Sequence, residues 1–234
     1  MNEFAQSARS ALDLIVHADA TLVRTVTLSL VVSGTACLFA AGFGLLGGAW
    51  LAVARFPGLR AALLLLNTLL ALPSVVVGLV VYLLLSRSGP LGSWGILFTP
   101  TAMVIAQTVI ALPIVAALTR QVTEDLWAEY GEQLRALGAG LARAIPTLLL
   151  EGRWALGTAL LAAFGRILAE VGAVLLVGGN IAHVSRVMTT AIVLETSRGD
   201  IPLALGLGML LIALSLLVSL SVEAIEGALR RAGA

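Results

Sequence analysis

Lysine is missing from this chain: its 14 basic side chains are all arginine. Without lysine there is no GxxxxGK[ST] phosphate loop, whose lysine reaches the terminal phosphates of a nucleotide. There is also no amine for Schiff-base catalysis. Charge of either sign is scarce, at 12% of residues against about 25% in a soluble domain. A formal net charge of +1 gives nucleic acid nothing to hold. The one cysteine, Cys37, lies inside an apolar run, which excludes an internal disulfide or a cysteine metal site and leaves a small core residue. His17 and His183 stand alone with no second ligand at metal spacing, as ordinary loop histidines do. No Ser/His/Asp set or carboxylate pair converges in sequence. The expectation is a non-catalytic chain that holds no cofactor of its own.

What the chain does have is apolar length. Hydrophobic residues make up 59% of it and the mean hydropathy is +1.05, which places it in a bilayer. A span needs about 20 helical residues, and five segments supply them: Thr25 to Ala54, Ala61 to Ser86, Trp94 to Thr119, Trp154 to Asn180, and Ile201 to Val222. Backbone groups in lipid must bond within their own segment, so these spans are expected to be helices. The fold class is therefore all-α, a polytopic membrane protein with five transmembrane helices in a single domain, 1–234. The first span carries "SGTACLFAAGFGLLGG", and its small residues should let another helix approach closely. Pro73 and Pro113 lie inside spans and should kink them. Residues 1–20 carry Glu3, Arg9, Asp13 and Asp19 with no clean apolar block, so they do not read as a cleavable signal.

Arginine in the short loops sets orientation. Arg55, Arg60, Arg120, Arg135, Arg143, Arg153, Arg230 and Arg231 fall on one side, and Arg9, Arg24, Arg87, Arg186 and Arg198 on the other, eight against five. The expectation is a periplasmic N-terminal segment (1–24), a cytoplasmic C-terminus, and a cytoplasmic loop over 120–153. Trp50, Trp94 and Trp154 fall near span ends, where aromatic anchors belong.

That loop holds nine of the 27 charged residues. Leu134, Leu137, Leu141, Ile145 and Leu148 recur at spacings of three and four, one apolar helical face. Gly138 and Gly140 invite a turn, and Pro146 should end or kink its helix. Glu124, Asp125 and Glu129 read as a solvated face. On pattern alone, two readings stay open: an amphipathic connector lying on the membrane surface, or two short helices joined at a glycine that dock into a partner's groove.

The stretch "EQLRALGAGLARAIPTLLLEGRW" resembles the coupling loop of ABC importer permeases, whose pattern is EAA, three residues, Gly, nine residues, Ile-x-Leu-Pro. Glu132 and Gly138 take the Glu and Gly positions; Leu148 and Leu150 take the Ile and Leu positions. Gln133 and Leu134 replace the two alanines, and Glu151 stands where the proline would be. The stretches Pro73 to Val115 and Phe164 to Ile181 resemble tungstate-type permeases, and the latter has a looser counterpart in molybdate and sulfate permeases. The resemblance covers about Arg24 to Ile225. It implies a type I importer architecture with five spans, the N-terminus outside and the C-terminus inside the bacterial inner membrane. It also implies a second copy of the chain, a cytoplasmic ATPase dimer that carries ATP and Mg²⁺, and a periplasmic or lipid-anchored oxyanion-binding protein. ATPase coupling would then fall to Glu132, Arg135, Ala136, Leu137, Gly138 and Ala139. The cargo implied is an oxyanion, tungstate before molybdate or sulfate.

Four polar residues are candidates for an anion path or gate. Arg166 and Glu170, at i,i+4, would share a helix face within the fourth span, either as a neutralising pair that fixes packing or as an arginine on an anion path steadied by the glutamate. Asn180 reads as a helix C-cap or as a polar contact at the outer mouth. Ser74 either offers its hydroxyl to an anion or bonds back to its own helix. An ion-gradient-driven carrier and a passive membrane scaffold remain the readings of another class, although a carrier would carry more polar groups near the midplane.

Overall fold

The computed structural model describes residues 20–232; the expected N-terminal segment up to residue 19, with His17, lies outside the described residues. Among the described residues there are nine α-helices, one 3-10 turn and no strand. The helices are α1 (Ala20–Val53), α2 (Leu59–Ala71), α3 (Ser74–Leu85), α4 (Pro100–Ala136), α5 (Leu141–Glu151), α6 (Arg153–Leu168), α7 (Gly172–Gly178), α8 (Met188–Arg198) and α9 (Ile201–Ala232). Three are long and apolar enough to cross a membrane, within α1, α4 and α9. The bent pairs α2–α3 and α5–α6 raise the number to five if each is one span. The all-α, polytopic expectation holds.

Two spans differ in detail from expectation. Pro73 bends the second span, as expected, and also divides it. α2 stops at Ala71, α3 starts at Ser74, and the two are bent by 100°. Proline disfavours the helical region for the residue before it, and Leu72 is extended (φ −65°, ψ 131°). Pro113, by contrast, lies inside an unbroken α4. So does Pro146 inside α5, and the 74° bend between α5 and α6 falls at Gly152. The fourth span is not one helix from Trp154 to Asn180: α6 ends at Leu168, residues 169–171 are not helical, and the short α7 follows.

The supposed loop over 120–153 is helical for most of its length. α4 has 37 residues, about 55 Å at 1.5 Å per residue. It runs well beyond the roughly 30 Å hydrocarbon layer and carries the charges from Arg120 onward with it. Arg120 and Glu124 pair along it at 2.8 Å (i,i+4). The first of the two expected short helices is therefore the end of a long one, and the second is α5.

The chain divides into two compact units, and α1, α4, α6 and α9 contribute residues to both. In the unit made of residues 20–35, 73–107 and 167–217, α3 packs on α7. Gly78 permits this: a Cβ there would lie 2.5 Å from the Ala173 Cα. Met103, Val174, Val177, Met188 and Leu207 are fully buried. In the unit made of residues 36–72, 108–166 and 218–232, Gly44 and Gly48 bring α1 against α4. A Cβ at Gly48 would sit 2.3 Å from the Ala116 carbonyl oxygen. The close approach expected of the glycine-rich span thus falls on an i,i+4 pair, whereas Gly34, Gly42 and Gly47 face open space. Phe39, Phe43, Leu46 and Trp50 on the same helix stay exposed. Cys37 is half-buried, with its thiol 3.7 Å from the Leu160 carbonyl.

Candidate functional site: an exposed turn and a broken span

α4 ends at a glycine turn. Gly138 has φ +72°, in the left-handed region. Its N–H donates to the Arg135 carbonyl and the Ala139 N–H to the Leu134 carbonyl, both at 2.9 Å. These are the two bonds of a Schellman cap, with glycine at the position that needs positive φ. Gly140 then opens α5, its carbonyl accepting from the Ala144 N–H at 2.9 Å.

The turn is rooted in packing and open at its tip. Ala52, Val53 and Leu148 form a buried cluster joined by Leu126, Trp127 and Leu134, which ties the ends of α1 and α4 to α5. The Arg135 guanidinium stands 4.9 Å from the centroid of the Trp127 ring. Glu132, Arg135, Ala136, Leu137 and Gly138 are exposed, and Ala139 is half-buried. Leu137 is 81% exposed, and nothing lies within 4 Å of where a Gly138 Cβ would be. A cavity of about 250 Å³ opens between the end of α4 and α5, lined by Tyr130, Gln133, Leu134, Leu137, Leu148 and Glu151 among others. The single apolar face expected from Leu134 to Leu148 is split. Leu134 and Leu148 turn inward while Leu137 and Leu141 stay exposed.

The break at 169–171 alters the reading of the polar residues in the fourth span. Glu170 lies beyond the end of α6, so it and Arg166 do not share one helix face. Glu170 is 4% exposed. Its Oε1 accepts the N–H groups of Gly172 (2.9 Å) and Ala173 (3.4 Å), and its carbonyl accepts the Thr189 hydroxyl at 2.9 Å. A buried carboxylate that takes backbone N–H groups at a helix start satisfies donors that would otherwise be orphaned. Ser74 belongs to the same corner: its Oγ and the Glu170 Oε1 each lie 3.6 Å from where a Gly172 Cβ would be. Asn180, two residues past α7, has φ 49° and donates through Nδ2 to the Thr190 carbonyl at 3.3 Å. It is a tether to α8 as well as part of the turn. Arg166 is exposed in the last turn of α6.

Several tethers escaped sequence reasoning. The Ser29 hydroxyl accepts the Met188 N–H at 2.8 Å, and the Gln107 amide donates to the Ile167 carbonyl at 3.1 Å. The available signal was a polar side chain inside an apolar run, which in a membrane calls for a partner.

Helices this long and apolar, with broken spans between them, make the chain a multi-pass α-helical membrane protein. Its relatives narrow the class. The chain is 36% identical to the tungstate uptake system permease protein of Peptoclostridium acidaminophilum, over 97% of its own length and 99% of the relative's. It is 34% identical to the tungstate uptake system permease protein of Campylobacter jejuni, over 88% and 87%. It is 33% identical to the molybdenum transport system permease protein of Escherichia coli, over 76% and 82%. No family model matches the chain. The chain belongs to the ABC importer permeases. Membership in that family displaces the gradient-driven carrier and the passive scaffold.

Proposed function

We propose that the chain is the membrane subunit of a tungstate importer. It works as a homodimer with two ATPase subunits and an extracytoplasmic oxyanion-binding protein. Identity above a third to a tungstate uptake permease over nearly the whole chain supports the cargo. The absence of lysine supports leaving ATP and Mg²⁺ to the partner ATPase and leaving this chain non-catalytic. The arginine count supports an N-terminus outside and a C-terminus in the cytoplasm.

The observation that carries the mechanism is the turn at Gly138, which is anchored by Leu134 and Leu148 and bare at its tip. An ATPase that grips Glu132 to Ala139 would move the ends of α4 and α5 as one piece. Alternating access follows if the ATP-bound and ATP-free forms of the partner prefer different arrangements of the spans. Within this reading Arg166, Glu170, Ser74 and Asn180 stay candidates for an anion path or gate, and Glu170 also holds the start of α7. Similarity to the Escherichia coli molybdenum permease supports a second cargo, molybdate, with sulfate as a further relative's cargo.

The test compares Gly138→Ala with Gly138→Trp. The alanine variant should keep the ATPase through purification; the tryptophan variant should lose it, and tungstate uptake with it. Full ATPase retention and full uptake in Gly138→Trp would end the docking assignment. Uptake of tungstate, molybdate and sulfate into vesicles that hold the whole assembly decides the cargo.

A further inference from the structure

The connection between α7 and α8 meets the first turns of α1 around a cavity of about 100 Å³ that plays no part in the mechanism above. α1 lines it with Thr21, Arg24, Thr25 and Leu28, positions i, i+3, i+4 and i+7 on one helical face. The connection lines it with Ala182, His183 and Arg186. Two arginines therefore line one hollow, and none of its described lining residues is acidic.

The hollow is firmly built. Arg24 donates to the His183 carbonyl at 2.6 Å, and Met188 N–H to the Ser29 hydroxyl at 2.8 Å, so α1 is tied both to the connection and to the start of α8. The Ser185 hydroxyl accepts the Ile181 N–H at 3.1 Å and donates to the Gly178 carbonyl. Asn180 and His183 both hold positive φ, at 49° and 62°. That is uncommon for residues with a side chain, and such strain clusters at functional sites.

Among the described residues, cationic groups outnumber anionic ones around the hollow. Glu195 is buried and lies 3.6 Å from Arg186 and 3.3 Å from Arg198, so two cations share one carboxylate. Arg24 meets only a neutral carbonyl in the bond just given. The Arg186 Nε is buried with no acceptor among the described residues, an unfavourable state for an N–H donor. Thr25 already donates its proton to the Thr21 carbonyl at 2.8 Å, which leaves the arginines as the main donors.

We propose that this hollow binds a tetrahedral oxyanion taken from water, with Arg24 and Arg186 as its ligands, as a resting place on the permease for the imported dianion. The assignment rests on reading the chain as an oxyanion importer permease. An oxyanion here accepts charge-assisted hydrogen bonds and offsets the excess cation. A lipid phosphate shares this chemistry, and the experiment separates the two sources.

The permease–ATPase complex, without the binding protein, is placed in phosphatidylcholine nanodiscs and equilibrated with tungstate, and bound tungsten is counted. Wild type should bind tungstate. Arg24→Gln should weaken binding by about tenfold or more, the worth of a charged hydrogen bond, and Arg24→Lys should recover most of it. Ala182→Phe fills the hollow with both arginines intact and should abolish binding. If wild type binds no tungstate, the site is overturned whatever the variants do. Binding that survives both Arg24→Gln and Ala182→Phe overturns it as well. A parallel arm adds phosphatidylglycerol: lipid retained through Arg24 while tungstate stays unbound overturns the aqueous source. Failure of the whole wild-type assembly to take up tungstate would instead sink the importer reading.

Discussion

Gly78 and Gly138 are the same residue put to opposite uses. At Gly78 a side chain has no room, because a Cβ would lie 2.5 Å from the backbone of Ala173 on α7. At Gly138 a side chain has all the room it needs, and the backbone is what demands glycine, at φ +72°. One glycine lets two helices of the same chain touch. The other makes a tight turn and leaves its outer side vacant. Open space beside a rigidly anchored turn is what a surface kept for another polypeptide should offer.

The contrast breaks most visibly where space is absent. Gly78→Leu and Gly48→Leu should each destabilise the protein by at least about 3 kcal/mol, the upper end of overpacking, read as loss of folded protein in detergent melting. If either variant melts like wild type, close helix approach is not what those glycines provide. Next comes the capped start of α7. Glu170→Ala leaves the Gly172 and Ala173 N–H groups without their acceptor and should cost about 2 kcal/mol. Glu170→Gln keeps an acceptor oxygen and should cost less than half of that. Equal melting of the two would show that the carboxylate does something other than cap.

At the turn the effect on stability is smaller and the effect on assembly larger. Gly138→Ala should cost about 1 kcal/mol for a side chain in the left-handed region. Gly138→Trp should melt within a few tenths of a kcal/mol of Gly138→Ala, yet lose the ATPase that the alanine variant keeps. A tryptophan variant that is also much less stable would mean the site is not open in the folded chain. Smallest is Arg135→Ala, which removes the contact over Trp127 and should cost about 0.5–1 kcal/mol in melting.

Legibility followed the range of the interaction. The first span was readable as Thr25 to Ala54 and is a helix over Ala20–Val53, because an uncharged run in lipid has one way to satisfy its backbone. The turn at Gly138 was readable because glycine's freedom at positive φ belongs to the residue itself. The break before Gly172 was not. A glutamate in an apolar stretch looks like a helix residue until Thr189 takes its carbonyl and α7 offers its N–H groups.

Proline marks the same boundary. Three prolines sit in apolar helical patterns; Pro73 divides a span, while Pro113 and Pro146 lie inside continuous helices. Each lacks an N–H and crowds the preceding turn, and packing decides whether the helix absorbs that cost or breaks. The sequence by itself determined the apolar lengths, the arginine-only charge and the glycine that closes α4, since these are properties of the chain alone. The tertiary structure decided which prolines break a helix, which glycines touch a neighbour and which carboxylate becomes a cap, since each needs a second segment to arrive.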